Sequence, residues 1–523
     1  MKFASNAGPL VGQLALASAA GAATVLSFAP FHFWPIAVIT LAILFSLWQR
    51  ATTARRAFAI GFMWALGLFL TGVSWLYVSL HVYGNMPAVL AGASIFIFCV
   101  YLSLFLAIAG WAQAKFSGSF NLSSPVKLLL LMPASFVAAE VIRAWFVSGF
   151  PWLTIGYSQT PSANLITPLA GFAPVFGAFG ISALLAFSAA VIVFLSPQLS
   201  NNAKSAKPTV SRFQRRFLIA GTLSIWVTGV LLMSYQWSSP VGSPMAVSLI
   251  QGNVGQHLKF RSDQLQPTID NYLELVERSR GQLIVLPETA LPLWLDDVPL
   301  AVQQRLANKA NANNGNIVLG IAYQQLPTPL ASMKIYNGAV SLGRDPSQRF
   351  AKQHLVAFGE FIPPFFSWVY RWLDMPLSGF TPGSKTQAPM RLSGQLVAIN
   401  ICYEDAFGRE IARALPEATL LVNISNMAWF GRTLAADQHA QFSQMRALET
   451  SRWMLRATNT GVTAAIDEKG NIVAALPQFT RGVLEATAVP REGITPYVMW
   501  RDWPVCLWLL GVLVFAFVKR RCV

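Results

Sequence analysis

Three residues of this chain could do covalent chemistry together. Cys402 closes the apolar run Leu396-Val397-Ala398-Ile399-Asn400-Ile401. Glu288 closes a second run, Leu283-Ile284-Val285-Leu286-Pro287, and Lys352 lies between them in K-Q-H-L-V-A-F-G-E. A thiolate is a strong nucleophile at accessible pH, and a nearby ammonium favours it. Lys352 can supply that charge and later face a developing oxyanion. Glu288 can take the thiol proton and return it to a leaving group, and Pro287 fixes the backbone just before it. A sharp strand-to-helix turn at Cys402 would lift its sulfur off the sheet and offer the Tyr403 amide as an oxyanion donor. Glu360 and Glu404 are supporting candidates, to hold Lys352 or line the oxyanion site. The bland alternatives are a buried core thiol for Cys402, a strand-edge lysine for Lys352, a helix-cap carboxylate for Glu288 and structural salt bridges for Glu360 and Glu404.

The elements that must position these groups fall into two classes. Of 523 residues 54% are hydrophobic and 11% charged, less than half the usual charged share. The apolar excess fills residues 8–196, 217–236 and 503–518, whereas 240–500 reads like a soluble domain. A membrane-crossing helix needs about 20 mostly apolar residues. Eight candidates meet or approach this: 8–29, 34–49, 57–79, 88–112, 127–147, 165–196, 217–237 and 503–518. The first, followed by Phe31-His32-Phe33-Trp34-Pro35, reads as half of a retained hairpin and not as a signal peptide. The sixth contains Gly and Pro and is expected to start as a loop or to kink. Lys2, Arg50, Arg55, Arg56, Lys115, Lys127, Lys204, Lys207, Arg212, Arg215, Arg216 and Lys519–Arg521 then all fall on one side, which the positive-inside rule makes cytoplasmic. The expected organisation is a transmembrane domain over 1–237, an extracytoplasmic domain over 238–500 and a last span over 501–523, with both termini cytoplasmic.

The formal charge of +16 does not point to nucleic acid, because the cations sit beside apolar spans and no zinc-finger spacing or basic helix accompanies them. Cys99, Cys402, Cys506 and Cys522 are too scattered for a disulfide framework. The five histidines (His32, His81, His257, His354, His439) lack ligand spacing, and there is no phosphate-binding glycine loop. No metal or cofactor is expected. Glu140 and Arg143 read either as a local ion pair or as a contact for lipid headgroups. Phe150-Pro151-Trp152-Leu153 resembles an interfacial belt.

In the outer domain, strands on short, mostly apolar runs are expected at 246–250, 282–286, 317–322, 396–401, 419–424 and 462–466. Helices are expected at 264–280, 298–313, 405–414 and 433–456. Such alternation implies buried strands covered by helices, and the ends of those strands are where catalytic groups gather. The aromatic stretch Phe361–Tyr370 reads as a flap resting on a bilayer, or alternatively as a packed core helix.

The residues also carry a family resemblance. Quoted from this chain, they are Thr71-Gly72-Val73-Ser74-Trp75-Leu76-Tyr77-Val78-Ser79, Phe150-Pro151-Trp152-Leu153, Gln251-Gly252-Asn253 and Leu286-Pro287-Glu288-Thr289. To these add Phe358-Gly359-Glu360, Ile401-Cys402-Tyr403-Glu404, Trp429-Phe430-Gly431, Met445–Thr450 and Arg456–Gly461. Together they resemble the bacterial apolipoprotein N-acyltransferases over nearly the whole chain. The outer domain is similar to the nitrilase, or carbon–nitrogen hydrolase, superfamily. The resemblance implies an α/β sandwich of four α-β-β-α layers on about eight membrane spans. It implies Glu288 as base, Lys352 as essential lysine and Cys402 as nucleophile, with Glu360, Tyr403 and Glu404 around them. It further implies transfer of an acyl chain from a phospholipid, such as phosphatidylethanolamine, through a thioester. The acceptor would be the α-amine of a lipoprotein's N-terminal S-diacylglyceryl-cysteine. The expected setting is the bacterial inner membrane with the catalytic domain periplasmic, and a monomer is expected. Two residues depart from the family pattern: Ala357, where Pro is usual, and Met427, where Asp is common.

A membrane-tethered amidase or nitrilase-type hydrolase would use the same Glu, Lys and Cys with water as acceptor. A transporter would need polar groups deep in several spans or internal repeats, and a structural assembly factor would not need the three-residue constellation.

Overall fold

The computed structural model describes residues 7–119, 122–163, 165–196, 211–326, 333–363 and 379–521. The chain forms two compact units. One comprises residues 1–77, 86–235 and 500–523, the other residues 78–85 and 236–499.

The first unit is helical. Six of its helical segments are long and apolar enough to cross a membrane: Leu10–Ser27, Ala54–Gly72, Ala88–Gly118, Ser124–Trp145, Pro168–Leu195 and Arg212–Ser234. Pro35–Arg50 and Trp503–Val518 are shorter apolar helices. The segment expected to kink starts as a 3₁₀ turn, Pro168–Phe172, and breaks at Gly177, whose φ of 65° and ψ of −173° are not helical. The helix Ala54–Gly72 stops short of the expected 79. Residues 78–83 instead form a π-helical turn that belongs to the second unit. Glu140 and Arg143 each bond to backbone. Glu140 Oε1 accepts from the Ile155 amide at 2.7 Å, and Arg143 donates to the carbonyls of Trp152, at 2.7 Å, and Phe150. They thereby satisfy an irregular stretch that would otherwise expose polar backbone among apolar helices. In the Phe150–Leu153 segment, Trp152 is buried and packs on Trp75 with ring centroids 4.7 Å apart.

The second unit holds two six-stranded sheets. The strands of these two sheets are β1 (Met245–Gln251), β2 (Leu283–Val285), β3 (Asn316–Gln325), β4 (Lys334–Gly343), β5 (Arg349–Ala351), β6 (Met390–Leu392), β7 (Gln395–Ile401), β8 (Leu420–Ser425), β9 (Met454–Thr458), β10 (Ala464–Ile466), β11 (Ile472–Ala475) and β12 (Gly482–Ala488). One sheet runs β12-β1-β2-β3-β4-β5, the other β11-β10-β9-β8-β7-β6. In each, the three central strands are parallel and the flanking ones antiparallel.

Alternation along these apolar strands creates the layers, since successive side chains point to opposite faces. Leu249, Val285, Val318, Ile399, Ile401, Val422 and Ile424 form one core between the sheets. Their strand neighbours Ile250, Ile284 and Ile317 face the other way, onto Tyr272, Leu275 and Leu306 of the helices Ser262–Arg278 and Leu300–Ala312. Ala398, Leu421 and Met454 face Ala447, from the helix Ala435–Thr450. The order is helix, sheet, sheet, helix. Each fully buried Leu, Ile or Val contributes about 1.5–3 kcal/mol. Where a helix is expected through 456, the chain leaves it at Ser451, in the left-handed region at φ 51°, and re-enters the sheet as β9.

Candidate active site

Glu288, Lys352 and Cys402 each follow the end of a strand, and the structure brings them into one cluster. Glu288 follows β2. Lys352 directly follows β5, its amide bonded to the Asn337 carbonyl at 2.8 Å. Cys402 directly follows β7 and opens the 3₁₀ turn Cys402–Ala406. Its φ of 54° places it in the left-handed region, a conformation that a non-glycine residue keeps only where its surroundings enforce it.

Lys352 is 1% exposed and pairs with two carboxylates. Its Nζ lies 2.9 Å from Glu360 Oε1 and 3.4 Å from Glu288 Oε1. Asn337 Nδ2 bridges the same two oxygens, at 2.8 Å from Glu288 and 2.6 Å from Glu360. Glu288 Oε2 accepts the Asn426 amide at 3.0 Å, and Glu360 Oε2 accepts the Val356 amide at 2.8 Å. Glu288 and the Cys402 side chain interact electrostatically, each shifting the other's proton affinity.

Burial alone would raise the Glu288 pKa, but Lys352, Asn337, Lys259 and the thiol together hold it below the ordinary value. Burial alone would lower Lys352, but Glu360 and Glu288 outweigh it and keep the ammonium charged. For Cys402, burial and then the Glu288 charge push the thiol up, against the pull of Lys352. The resting site is therefore a neutral thiol and an anionic base beside a fixed ammonium. Proton transfer to Glu288 can generate the thiolate when an electrophile arrives.

The supporting residues hold the loops. Glu404 takes three backbone amides: Gln353 at 2.7 Å and His354 at 3.1 Å on one oxygen, Ile401 at 2.7 Å on the other. It ties the Lys352 loop to the Cys402 turn. Burial pushes its carboxyl up to about 7, with those amides and Lys352 opposing. The Tyr403 ring packs edge-on against Phe407, centroids 5.1 Å apart, and faces His354 at 6.0 Å. Of the aromatic flap expected at 361–370, residues 364–370 lie outside the described residues. Met427 is buried, with its sulfur 3.0 Å from His439 Nδ1.

Sequence reasoning missed Asn337, Lys259 and a buried set behind Cys402. Lys259 Nζ lies 3.4 Å from the Glu288 carbonyl, and burial lowers its pKa to about 8. Behind Cys402 stand Asn423, His439, Asp405 and Arg456. Arg456 is a lone charge in the otherwise apolar run Trp453–Ala457, which is a signal in the sequence; Asp405, next to Glu404, carries no such mismatch.

Residues 20–191 match the family model described as apolipoprotein N-acyltransferase N-terminal domain, and residues 246–497 match that of carbon–nitrogen hydrolase. The chain is 45% identical to an apolipoprotein N-acyltransferase of Nitrosomonas europaea over 96% of each chain. It is 39% identical to that of Methylococcus capsulatus, over 97% of this chain and 96% of the relative. It is likewise 39% identical to that of Chromobacterium violaceum, over 97% of this chain and 94% of the relative. Both units are thus covered by relatives of one name, and the chain belongs to the apolipoprotein N-acyltransferase family.

Proposed function

We propose that the chain transfers an acyl group from a phospholipid to the N-terminal α-amine of S-diacylglyceryl-cysteine lipoproteins, with Cys402 as nucleophile, Glu288 as base and Lys352 as electrostatic stabiliser. The observation that carries this reading is the buried cluster in which Lys352 lies 3.4 Å from Glu288 and 2.9 Å from Glu360, beside a half-buried Cys402 thiol whose proton affinity Glu288 and Lys352 both shift. Glu288 takes the thiol proton, and the sulfur attacks an ester carbonyl of a donor such as phosphatidylethanolamine. Lys352 and the Tyr403 amide face the oxyanion. The C–O bond breaks, and the departing lysophospholipid oxygen takes the proton from Glu288. The lipoprotein amine then attacks the thioester, Glu288 accepts its proton, and the Cys402 thiolate leaves and is reprotonated. The thioester conserves acyl activation between the steps, so no nucleotide or metal is needed.

In this proposal eight helices span the bacterial inner membrane, seven before residue 238 and one after 500. Both termini are cytoplasmic and the catalytic unit is periplasmic. The cation distribution supports that orientation. Both substrates are then anchored in one leaflet, and a monomer suffices. Glu360, Tyr403 and Glu404 are supporting residues in the same scheme.

The test is intact-mass analysis after incubation with phosphatidylethanolamine and no acceptor, beside Cys402→Ala. A hydroxylamine-labile acyl adduct on Cys402, absent from the variant, is expected. A folded protein that forms no adduct, or keeps it in Cys402→Ala, contradicts the scheme.

A further inference from the structure

The peptide that joins Cys402 to Tyr403 is held from behind. The Cys402 carbonyl accepts from Asn423 Nδ2 at 3.1 Å and from His439 Nε2 at 3.1 Å. Arg456 Nη2 lies 2.8 Å from His439 Nδ1. Arginine has only donors, so Nδ1 must accept and the ring proton must sit on Nε2, directed at the Cys402 carbonyl. Burial and Arg456 lower the His439 pKa despite Asp405, which agrees with a neutral ring.

The surroundings fix that ring. Asp405 Oδ1 lies 2.9 Å from Nε2, and Asp405 Oδ2 accepts from Arg456 Nη1 at 3.0 Å and from Ser443 Oγ at 2.6 Å. Arg456 Nη1 also donates to Asn423 Oδ1 at 2.8 Å. His439 is 2% exposed, and Asp405, Asn423 and Arg456 are 0% exposed.

A trans peptide is planar, with its C=O and N–H pointing to opposite sides. A carbonyl pinned inward therefore fixes the N–H of the next residue outward. We propose that His439, seconded by Asn423, is a positioning residue that aims the Tyr403 N–H at the reaction's oxyanion by holding the Cys402 carbonyl on the opposite side of the same peptide plane. This rests on the acyl-transfer reading above. Neither residue touches substrate. Their effect is confined to steps that build negative charge on a carbonyl oxygen.

That confinement supplies the test, run on the full-length purified protein. Thioester formation from phosphatidylethanolamine passes through an oxyanion. Alkylation of Cys402 by iodoacetamide does not: the sulfur displaces iodide from a saturated carbon, and the thiol proton is lost to base. His439→Leu is expected to slow thioester formation by about 10²-fold, the effect of losing one oxyanion donor. The KM for the lipid and the alkylation rate should stay within about twofold, since binding and thiol reactivity are not the steps affected. His439→Gln, which restores an N–H near Nε2, should recover the rate to within about tenfold of the parent. His439→Asn, polar but too short to reach the carbonyl, should behave like His439→Leu and carries the test if that variant does not fold.

Thioester formation within about threefold of the parent in His439→Leu or His439→Asn would overturn the proposal. So would alkylation slowed as much as acylation, or no recovery in His439→Gln. If the parent protein forms no thioester while its alkylation is normal, the acyl-transfer reading fails first and this inference with it.

Discussion

Glu360→Gln tests the electrostatic reading of the site because it should move two observables in opposite directions. Lys352 is 1% exposed and has carboxylate oxygens at 2.9 Å from Glu360 and 3.4 Å from Glu288. At 2.9 Å and an effective dielectric of about 20, one such contact has a gross Coulomb energy of about 6 kcal/mol. Desolvation cancels much of it, and breaking a buried pair typically costs about 3–5 kcal/mol. Gln keeps an acceptor oxygen for Lys352 and Asn337, and Glu288 remains, so a loss near the lower end, about 3 kcal/mol, is expected. For a unit of this size that corresponds to about 6–12 °C in Tm. Meanwhile the Cys402 thiol loses one of the negative charges that raise it, so its alkylation by iodoacetamide at fixed pH should accelerate. Thioester formation should fall, because Lys352 is drawn towards Glu288 and away from the oxyanion. The assays are thermal unfolding in detergent, timed alkylation and intact mass on the same preparation. A Tm within about 2 °C of the parent, or slower alkylation, would refute the charge assignment.

Two further outcomes follow from the geometry. A Cβ added at Gly320 would lie 2.3 Å from the Pro287 carbonyl oxygen and 2.8 Å from Glu288 Cα; these are backbone atoms, so Gly320→Ala must displace the base. Thioester formation should drop about 10²-fold, the scale for a misplacement near 1 Å, with about 1–3 kcal/mol lost by overpacking; an unchanged rate would show that Glu288 is not the positioned base. Because burial and Glu288 hold the Cys402 thiol above its ordinary value, less of it is ionised at any given pH than in a free cysteine. Alkylation should therefore keep rising through about pH 8.5, where a free thiol is half ionised, and a plateau below that would contradict a protonated resting thiol.

The sequence made the ends of the parallel strands legible because their signal is local. Runs such as Leu283–Leu286 and Leu396–Ile401 are apolar but for Asn400, and the chemistry-bearing residue follows within two positions. Asn337 was invisible for the opposite reason. It lies within β4, which is absent from the expected strands, and its role is set by Glu288 and Glu360 across the site. The expected helix 433–456 overruns into β9 because no Gly or Pro announces the left-handed turn at Ser451, and because Arg456 in mid-strand looks like a helix surface until Asp405 is beside it. The expected span runs past the helix end at Gly72 because Val73–Val78 keeps the hydropathy high, and hydropathy does not register where helical bonding stops.

Ion clusters stand on both sides of the Cys402 turn, Glu288–Lys352–Glu360 in front and Asp405–His439–Arg456 behind. Stability alone is a poor account of either, since well-packed apolar residues often replace buried ion pairs without loss. What they share is attachment to backbone. Glu288 takes the Asn426 amide, Glu360 the Val356 amide and Glu404 those of Gln353, His354 and Ile401, while His439 donates to the Cys402 carbonyl. Each carboxylate thus joins segments that are distant in the chain or turn sharply within it. Three of those turns use non-glycine residues at positive φ: Thr289 at 50°, Phe358 at 63° and Cys402 at 54°. Such conformations persist only where the surroundings over-determine them. A charged side chain that accepts backbone N–H groups, three of them at Glu404, supplies that determination in a way an apolar side chain cannot, because it constrains the direction of the peptide and not merely the volume it fills. The buried charges therefore set the angles at which base, ammonium and thiol meet.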